Sequence, residues 1–296
     1  MPELPEVETV CRGLRKKILG HSIVSVEVLR KDSIAYPSVK EFTKLLPGHR
    51  IENVRRRGKY ILIDLDGGAS MMAHLRMSGR FLIVDGEKTK SPDKFLRVRM
   101  ILDKNRELHF ADMRVFGRIW YAPSGVTLEE IAPTLGELGA EPLPALDPKA
   151  LAELLRKKKQ PIKSALLDQR LIAGIGNIYA DESLFQSGIH PSRPASSLKQ
   201  EEIAELSKTV SKVLQEAITL GGSTLRDYTD SEGVNGNYQN ESWVYGRFGK
   251  ACRICSTEIE RLKIAGRSSH FCPNCQSRSG RKKNVTKNAI KKGASP

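Results

Sequence analysis

Four cysteines constrain this chain more than any other feature. Cys252-x2-Cys255 is followed, after sixteen residues, by Cys272-x2-Cys275. Two residues between the members of each pair form a turn that can aim both thiolates at one ion. The segment between the pairs is long enough for a hairpin that brings them together. A structural zinc takes four ligands in a tetrahedron; these cysteines supply all four and leave no open position for catalysis. Two disulfides or two redox dithiols are the alternative readings. Arg253, Arg261, Lys263 and Arg267 lie within or beside the motif, so the expected finger presents a basic surface suited to nucleic acid. The fifth cysteine, Cys11, stands alone in an apolar helical pattern and is read as core filler.

The finger is a small part of 296 residues, a length that allows two domains and a real core. No apolar run approaches the roughly 20 residues needed to span a bilayer. The first residues carry Glu3 and Glu6 and no hydrophobic signal region, so the cytosol or a bacterial cytoplasm is expected. Basic residues outnumber acidic ones 49 to 34, a net charge of +15. Seven of those positive charges fall in residues 278–296, which hold no acid; setting them aside leaves +8 on the body. A field of that sign attracts polyanions, nucleic acid first, with an anionic membrane surface or an acidic protein as alternatives.

A helical pattern over residues 6–19 gives way to short β-rich runs up to about residue 122. These include SIVSVEVL, YILIDLD, MMAHL, FLIV and LRVRMIL. In the last, Leu96, Val98, Met100 and Leu102 alternate with Arg97 and Arg99, the pattern of a half-buried strand. So many short strands predict an antiparallel sandwich or barrel. Residues 123–147, rich in proline and glycine, are expected to be a linker. Helical patterns follow at 148–158, 161–170, 177–187 and 198–220. In the last of these, Ile203, Leu206, Val210, Val213, Leu214 and Ala217 form one apolar stripe, stopped by Gly221-Gly222. The tail from 278 is too polar to pack and is expected to be disordered.

At the other end, Pro2 follows an initiator methionine whose removal would expose a secondary amine. A neutral amine is the nucleophile of Schiff-base chemistry. An α-amino group has a pKa of about 8 against about 10.4 for lysine, so near pH 7.5 roughly a fifth is neutral against about a thousandth of lysine. Glu3 and Glu6 could move protons beside it. Proline at a helix start and glutamate in its first turn are also ordinary helix-start choices, and the residues alone leave both readings open.

The opening PELPEVETV together with the four-cysteine finger resembles the formamidopyrimidine-DNA glycosylase family. The resemblance extends through RRRGKY at 55–60, HLRMSGR at 74–80, DMRVFGR at 112–118 and QRLIAGIGNIYADESLF at 169–185. It continues in GGSTLRDY at 221–228, VYGR at 244–247 and AGRSSHFC at 265–272. It implies an α+β multidomain protein: an N-terminal β-sandwich with flanking helices (1–122), a linker (123–147), a helix–two-turns–helix domain (148–240), a zinc-finger β-hairpin (241–277) and a basic tail (278–296). DNA would lie in the cleft between the two parts.

The resemblance also implies roles. Pro2 would attack C1′ of a damaged nucleoside, Glu3 would donate a proton, and Glu6 would support them. Lys59 would serve β-elimination and contact phosphate, and Arg267 would serve δ-elimination. The expected substrates are 8-oxoguanine and formamidopyrimidines in damaged double-stranded DNA, plus abasic sites. Eversion of the base costs a few kcal/mol and leaves a hole in the stack; Met77 and Phe116 would fill it, and Arg114 would pair with the orphaned cytosine. Lys158 and Asn177 would hold phosphate, the latter beside the Gly174-Ile175-Gly176 turn at a helix start. The loop with Thr224 and Arg226 would hold the everted base. Phe95 stands where the family often has a histidine, and Arg97 is the cation available in its place. One structural zinc on Cys252, Cys255, Cys272 and Cys275, no nucleotide cofactor, no membrane and a monomer complete the expectation. Two rivals remain: an oxidised-pyrimidine glycosylase resembling endonuclease VIII, which usually opens Pro-Glu-Gly rather than with Leu4, and a non-catalytic zinc-dependent DNA-binding protein.

Overall fold

The computed structural model describes residues 1–85, 93–223 and 236–278. They fall into two compact units, one within Met1–Leu138 and Ala217–Tyr238, the other within Gly139–Glu216 and Gln239–Pro296. No helix among the described residues is long and apolar enough to cross a membrane.

The first unit begins with α1 (Leu4–Ile18), whose Leu4, Val7, Val10, Cys11, Leu14 and Ile18 recur at helical spacing and are all buried. Its start is held by a reciprocal cap in which the Glu3 N–H donates to Glu6 Oε2 at 2.8 Å. Cys11 is packing material: its thiol is pushed up to about 12 by burial, so it stays protonated.

Nine strands follow: β1 (Ile23–Val28), β2 (Ile34–Tyr36), β3 (Ile51–Arg57), β4 (Tyr60–Leu65), β5 (Ser70–His74), β6 (Gly79–Asp85), β7 (Leu96–Leu102), β8 (Arg106–Asp112) and β9 (Arg118–Ala122). They make a four-stranded sheet, β1-β7-β8-β6, and a five-stranded sheet, β2-β9-β5-β4-β3. Val98, Met100, Leu108 and Phe110 of the first sheet share one core with Ile61, Ile63, Met71 and Ile119 of the second, and α1 packs its stripe into the same core. This is the predicted sandwich, and β7 buries every second residue as its alternation requires.

Two departures from the sequence reading have a common cause. A seven-residue helix, α2 (Val39–Leu45), interrupts what reads as continuous strand. Two more, α3 (Leu128–Ile131) and α4 (Pro133–Gly136), occupy the stretch expected as a linker. All are too short for a 3.6-residue period to show, yet α2 and α3 carry the S/T-x-x-E box: Ser38 with Glu41, and Thr127 with Glu130. Leu128, Ala132 and Leu135 cover Tyr60, Leu62 and Met72 on the outer face of the larger sheet. That second covering explains why YILIDL is apolar almost throughout, since β4 is buried on both faces.

The second unit holds α5 (Pro148–Leu155), α6 (Ile162–Leu167), α7 (Asn177–Gln186) and most of α8 (Gln200–Thr219), with the short α9 (Tyr238–Glu241) at the chain's return. The rest of the expected linker is fastened to α8, where Ser211 Oγ donates to the Pro142 carbonyl at 2.8 Å and accepts the Leu146 N–H at 3.0 Å. The hairpin β10 (Glu260–Ile264) and β11 (Arg267–Phe271) is antiparallel and in register. Two adjacent carboxylates of α7 anchor it and the segment before it. Asp181, fully buried, accepts from Lys163 Nζ at 2.7 Å, Ser269 Oγ at 2.8 Å and the His270 N–H at 2.9 Å. Glu182 accepts the N–H groups of Trp243, Val244 and Tyr245 at 2.8, 3.0 and 2.8 Å. Burial raises the Glu182 carboxyl above its ordinary value, against those three donors.

Two measurements follow from this packing. Lys163→Met should destabilise the protein by about 3–5 kcal/mol in denaturant titration, because it strands Asp181 without its cation; a loss below about 1 kcal/mol would contradict that reading. Burial holds His74 at about 3 and His190 at about 4, both well below 6.5, and ion pairing with Arg99 holds Glu107 at about 2. The unfolded chain takes up protons at the histidines below pH 6.5 while the fold refuses them. Glu107 adds a loss of the same sign below its ordinary 4.5. The contribution of these groups is therefore full above about pH 6.5 and falls as pH drops toward 3. Glu182, shifted upward, works in the opposite sense but is one group against two histidines, so the thermal midpoint should fall by about 5 °C between pH 7 and pH 5.

Candidate active site

The chain start lies inside the first unit rather than on its surface: Pro2, Glu3 and Glu6 are buried. With Met1 attached the Pro2 nitrogen is an amide; a nucleophile exists there only once Met1 is removed. The charges around the chain start can be read from the Met1 amine. It is held below the ordinary α-amino value by burial, with Glu3 and Glu6 opposing and Lys59 and Arg114 reinforcing the depression. Glu6 has a second task. Its Oε1 accepts the Ser223 N–H at 2.7 Å, and a Cβ on Gly222 would lie 2.8 Å from the same oxygen. The start of α1 is thus tied to the near edge of the segment containing Thr224 and Arg226, two expected residues that lie outside the described residues.

Lys59 is buried and enters from the β3–β4 hairpin. Arg57 pairs with Tyr60, leaving Gly58 and Lys59 as a two-residue turn with Gly58 at φ +54°, the place where such a turn needs glycine. His74, at the end of β5, opens the HLRMSGR motif, and nothing in its sequence context marks it as part of the site. Its Nδ1 accepts the Arg76 N–H at 3.0 Å, its ring meets Tyr60 edge-on at 4.7 Å, and the nearby positive charges of Arg76 and Lys59 add to the burial that keeps it neutral.

Met77, Arg114 and Phe116 sit on two turns, β5–β6 and β8–β9. All three are exposed, Phe116 at 55% and Met77 at 40%, against the habit of large apolar side chains. Phe95 and Arg97 both touch the backbone of Asp112. The Phe95 carbonyl accepts the Asp112 N–H at 2.8 Å, and Arg97 Nε donates to the Asp112 carbonyl at 2.8 Å. Arg97 therefore braces the end of β8.

In the second unit, Asn177 opens α7 with Gly176 as its cap. The turn before it is shaped by Gln169, also missed in the sequence. Gln169 Oε1 accepts the Gly174 N–H at 2.9 Å while its amide donates to the Ile175 carbonyl at 2.8 Å. Asn177 Oδ1 is buried with no hydrogen-bond partner among the described residues. Lys158 lies half-buried in the turn after α5, its N–H bonded to the Leu155 carbonyl at 2.9 Å. Arg267 is exposed and follows a two-residue turn in which Ala265 and Gly266 both have positive φ.

Cys252, Cys255, Cys272 and Cys275 come together with all four sulfurs within 4.8 Å of one another. Sγ separations are 3.9 Å for Cys252–Cys275 and 3.5 Å for both Cys255–Cys272 and Cys255–Cys275. A zinc tetrahedron with bonds of about 2.3 Å has edges of about 3.8 Å, so the four thiolates fit the ion and would hold it structurally. The Ile254 and Cys275 N–H groups each point at a sulfur, Cys252 Sγ and Cys272 Sγ, at 3.4 Å.

Three family descriptions match in succession along the chain: the formamidopyrimidine-DNA glycosylase N-terminal domain over residues 1–119, the H2TH domain of the same family over 138–229, and a zinc finger found in FPG and IleRS over 249–278. The formamidopyrimidine-DNA glycosylase of Gloeobacter violaceus is 50% identical over 93% of this chain and 98% of its own length. That of Synechococcus elongatus is 49% identical over 93% and 97%. Among solved structures, a Lactococcus lactis Fpg mutant in complex with Fapy-dG-containing DNA has a TM-score of 0.85 at 37% identity, covering 93% of this chain and 100% of that one. The Lactococcus lactis Fpg complex with abasic-site DNA has a TM-score of 0.84 at 37% identity over 93% and 99%; a complex with oxidised-pyrimidine DNA has 0.84 at 37% over 93% and 100%. Matches that span the buried amino terminus, the helical unit and the four-cysteine finger in a single chain place this protein in the formamidopyrimidine-DNA glycosylase family.

Proposed function

We propose that this chain releases oxidised purines, 8-oxoguanine and formamidopyrimidines, from duplex DNA and then cleaves the abasic strand through an imine on Pro2. The observation that carries the reading is the company kept by the chain start: Pro2 is buried beside the buried carboxylates of Glu3 and Glu6, and Lys59 is buried in the same unit.

The chemistry assigns each group a step. The Pro2 lone pair attacks C1′, and the N-glycosidic bond breaks with its electrons on the departing base, which takes a proton from Glu3. The amine then loses its own proton. The C1′–O4′ bond opens with protonation of O4′, leaving an iminium that acidifies C2′. Loss of a C2′ proton expels the 3′ phosphate, with Lys59 as proton donor and phosphate contact. A second elimination, served by Arg267, expels the 5′ phosphate. Hydrolysis of the imine restores Pro2 and leaves a one-nucleotide gap. Only the neutral form of the amine freed by Met1 removal attacks.

Met77 and Phe116 fill the space vacated by the base, and Arg114 pairs with the orphaned cytosine. Lys158 and Asn177 hold phosphate, and zinc orders the hairpin that carries Arg267. The enzyme acts as a monomer on damaged DNA in the bacterial cytoplasm, without a nucleotide cofactor. Because one neighbouring structure holds oxidised-pyrimidine DNA, a panel of single-lesion duplexes should include those lesions beside 8-oxoguanine. Faster release of pyrimidines than purines would overturn the substrate assignment.

Pro2→Gly should lose about 10²-fold or more in both base release and strand cleavage while still binding lesion DNA. Borohydride trapping reads this directly, and undiminished trapping in the mutant would move the nucleophile to another amine such as Lys59. Cys272→Ser should lose zinc and DNA affinity together. Metal analysis finding no zinc in reduced, active wild-type protein would refute the structural role.

A further inference from the structure

Met77 and the pair Arg114 and Phe116 belong to turns far apart in sequence, yet one carboxylate ties those turns together. Asp112, the last residue of β8, is 1% exposed. Its Oδ1 accepts the Ser78 hydroxyl at 2.5 Å and the Arg114 N–H at 3.1 Å, and its Oδ2 accepts the Gly117 N–H at 2.7 Å. Ser78 Oγ accepts the same Arg114 N–H at 3.1 Å. Ser78 is the neighbour of Met77, so the β5–β6 turn is fastened to the β8–β9 turn at the base of both exposed side chains.

The surroundings are built for this contact. A Cβ on Gly117 would lie 2.6 Å from Phe110 Cζ and 3.0 Å from Asp112 Oδ2, so glycine allows the close approach. Val115 sits at φ +58°, a costly conformation for a β-branched residue. It is held there because the N–H groups on either side of it, of Arg114 and Gly117, end on the same carboxylate. Asp112 is itself fixed from behind by Phe95 and Arg97 through its backbone. An amide at this position could not replace the carboxylate, since asparagine has one acceptor atom where three donors converge on two.

We propose that Asp112 and Ser78 couple the two turns into one wedge, with Asp112 a positioning residue that sets Met77, Arg114 and Phe116 as a unit. The inference rests on the reading of these three as the groups that enter the stack when a base is everted. Residues that enter together are energetically coupled, and residues on independent turns are not.

The test is a double-mutant cycle: Met77→Ala, Phe116→Ala and the double variant, each with Ser78 intact and with Ser78→Ala. Single-turnover release of 8-oxoguanine opposite cytosine is measured alongside the fluorescence of 2-aminopurine placed next to the lesion, which reports insertion into the stack. With Ser78 intact, the double variant should lose clearly less than the product of the two single losses; in Ser78→Ala the losses should multiply. Asp112→Asn should slow release from duplex about tenfold and abolish the fluorescence change, while borohydride trapping on a single-stranded abasic oligonucleotide stays within about twofold. A role confined to folding would lower both activities together and leave the residual fluorescence change intact. Losses that multiply already with Ser78 intact, or coupling that survives Ser78→Ala, would overturn the clamp. If Met77→Ala and Phe116→Ala are each silent in a wild-type background that releases 8-oxoguanine, the wedge reading itself falls, and the clamp with it.

Discussion

A buried carboxylate accepting backbone N–H groups of a turn or loop is the interaction on which the functional parts of this protein depend. Glu6 does this for the chain start and Ser223, Asp112 for the Arg114–Gly117 turn, Asp181 for the finger hairpin, and Glu182 for residues 243–245. A carboxylate taken out of water is costly unless its oxygens are satisfied, and charge-assisted bonds to backbone donors satisfy them in a fixed direction. Each of the four sits on or at the end of a helix or strand. The loops they hold therefore inherit the positional definition of the scaffold, which reactive side chains on loops otherwise lack.

The same balance of burial and charge governs the chain start. Burial favours a neutral Met1 amine, the charges of Glu3 and Glu6 favour a protonated one, and Lys59 and Arg114 again favour the neutral form. Once Met1 is removed the same groups surround the Pro2 amine, whose neutral form is the nucleophile.

Much of this was legible in the sequence because it was written in periodicity or in chemistry that tolerates few substitutes. The alternation of β7, the stripe of α8 and the cysteine spacing translate directly into a buried face, a helix and a metal cluster. The short helices α2, α3 and α4 were hidden because four to seven residues carry no period, although two of them announce themselves by a Ser38–Glu41 or Thr127–Glu130 cap. Gln169, Asp112 and Lys163 were illegible for another reason. Asp112 reaches Ser78, and Lys163 reaches Asp181 and the Ser268 carbonyl, across long stretches of chain, while Gln169 folds onto the turn just ahead of it; a polar residue in a motif does not reveal whether it faces a ligand or a backbone. Arg97 was legible as a cation on a strand, but not that its Nε would brace the Asp112 carbonyl.

The turn at the tip of the finger hairpin has a consequence for how this protein can vary. Ala265 and Gly266 reverse the chain in two residues, and the cysteine cluster closes the other end of the same two strands. Side chains alternate faces along a strand, so register decides whether Arg267 or Ser268 points to a given side. With both ends of the hairpin pinned, no slack exists in which an added or lost residue could be absorbed before it reaches Arg267. One residue added or lost between Arg267 and Cys272 would therefore turn the arginine to the opposite face of the hairpin.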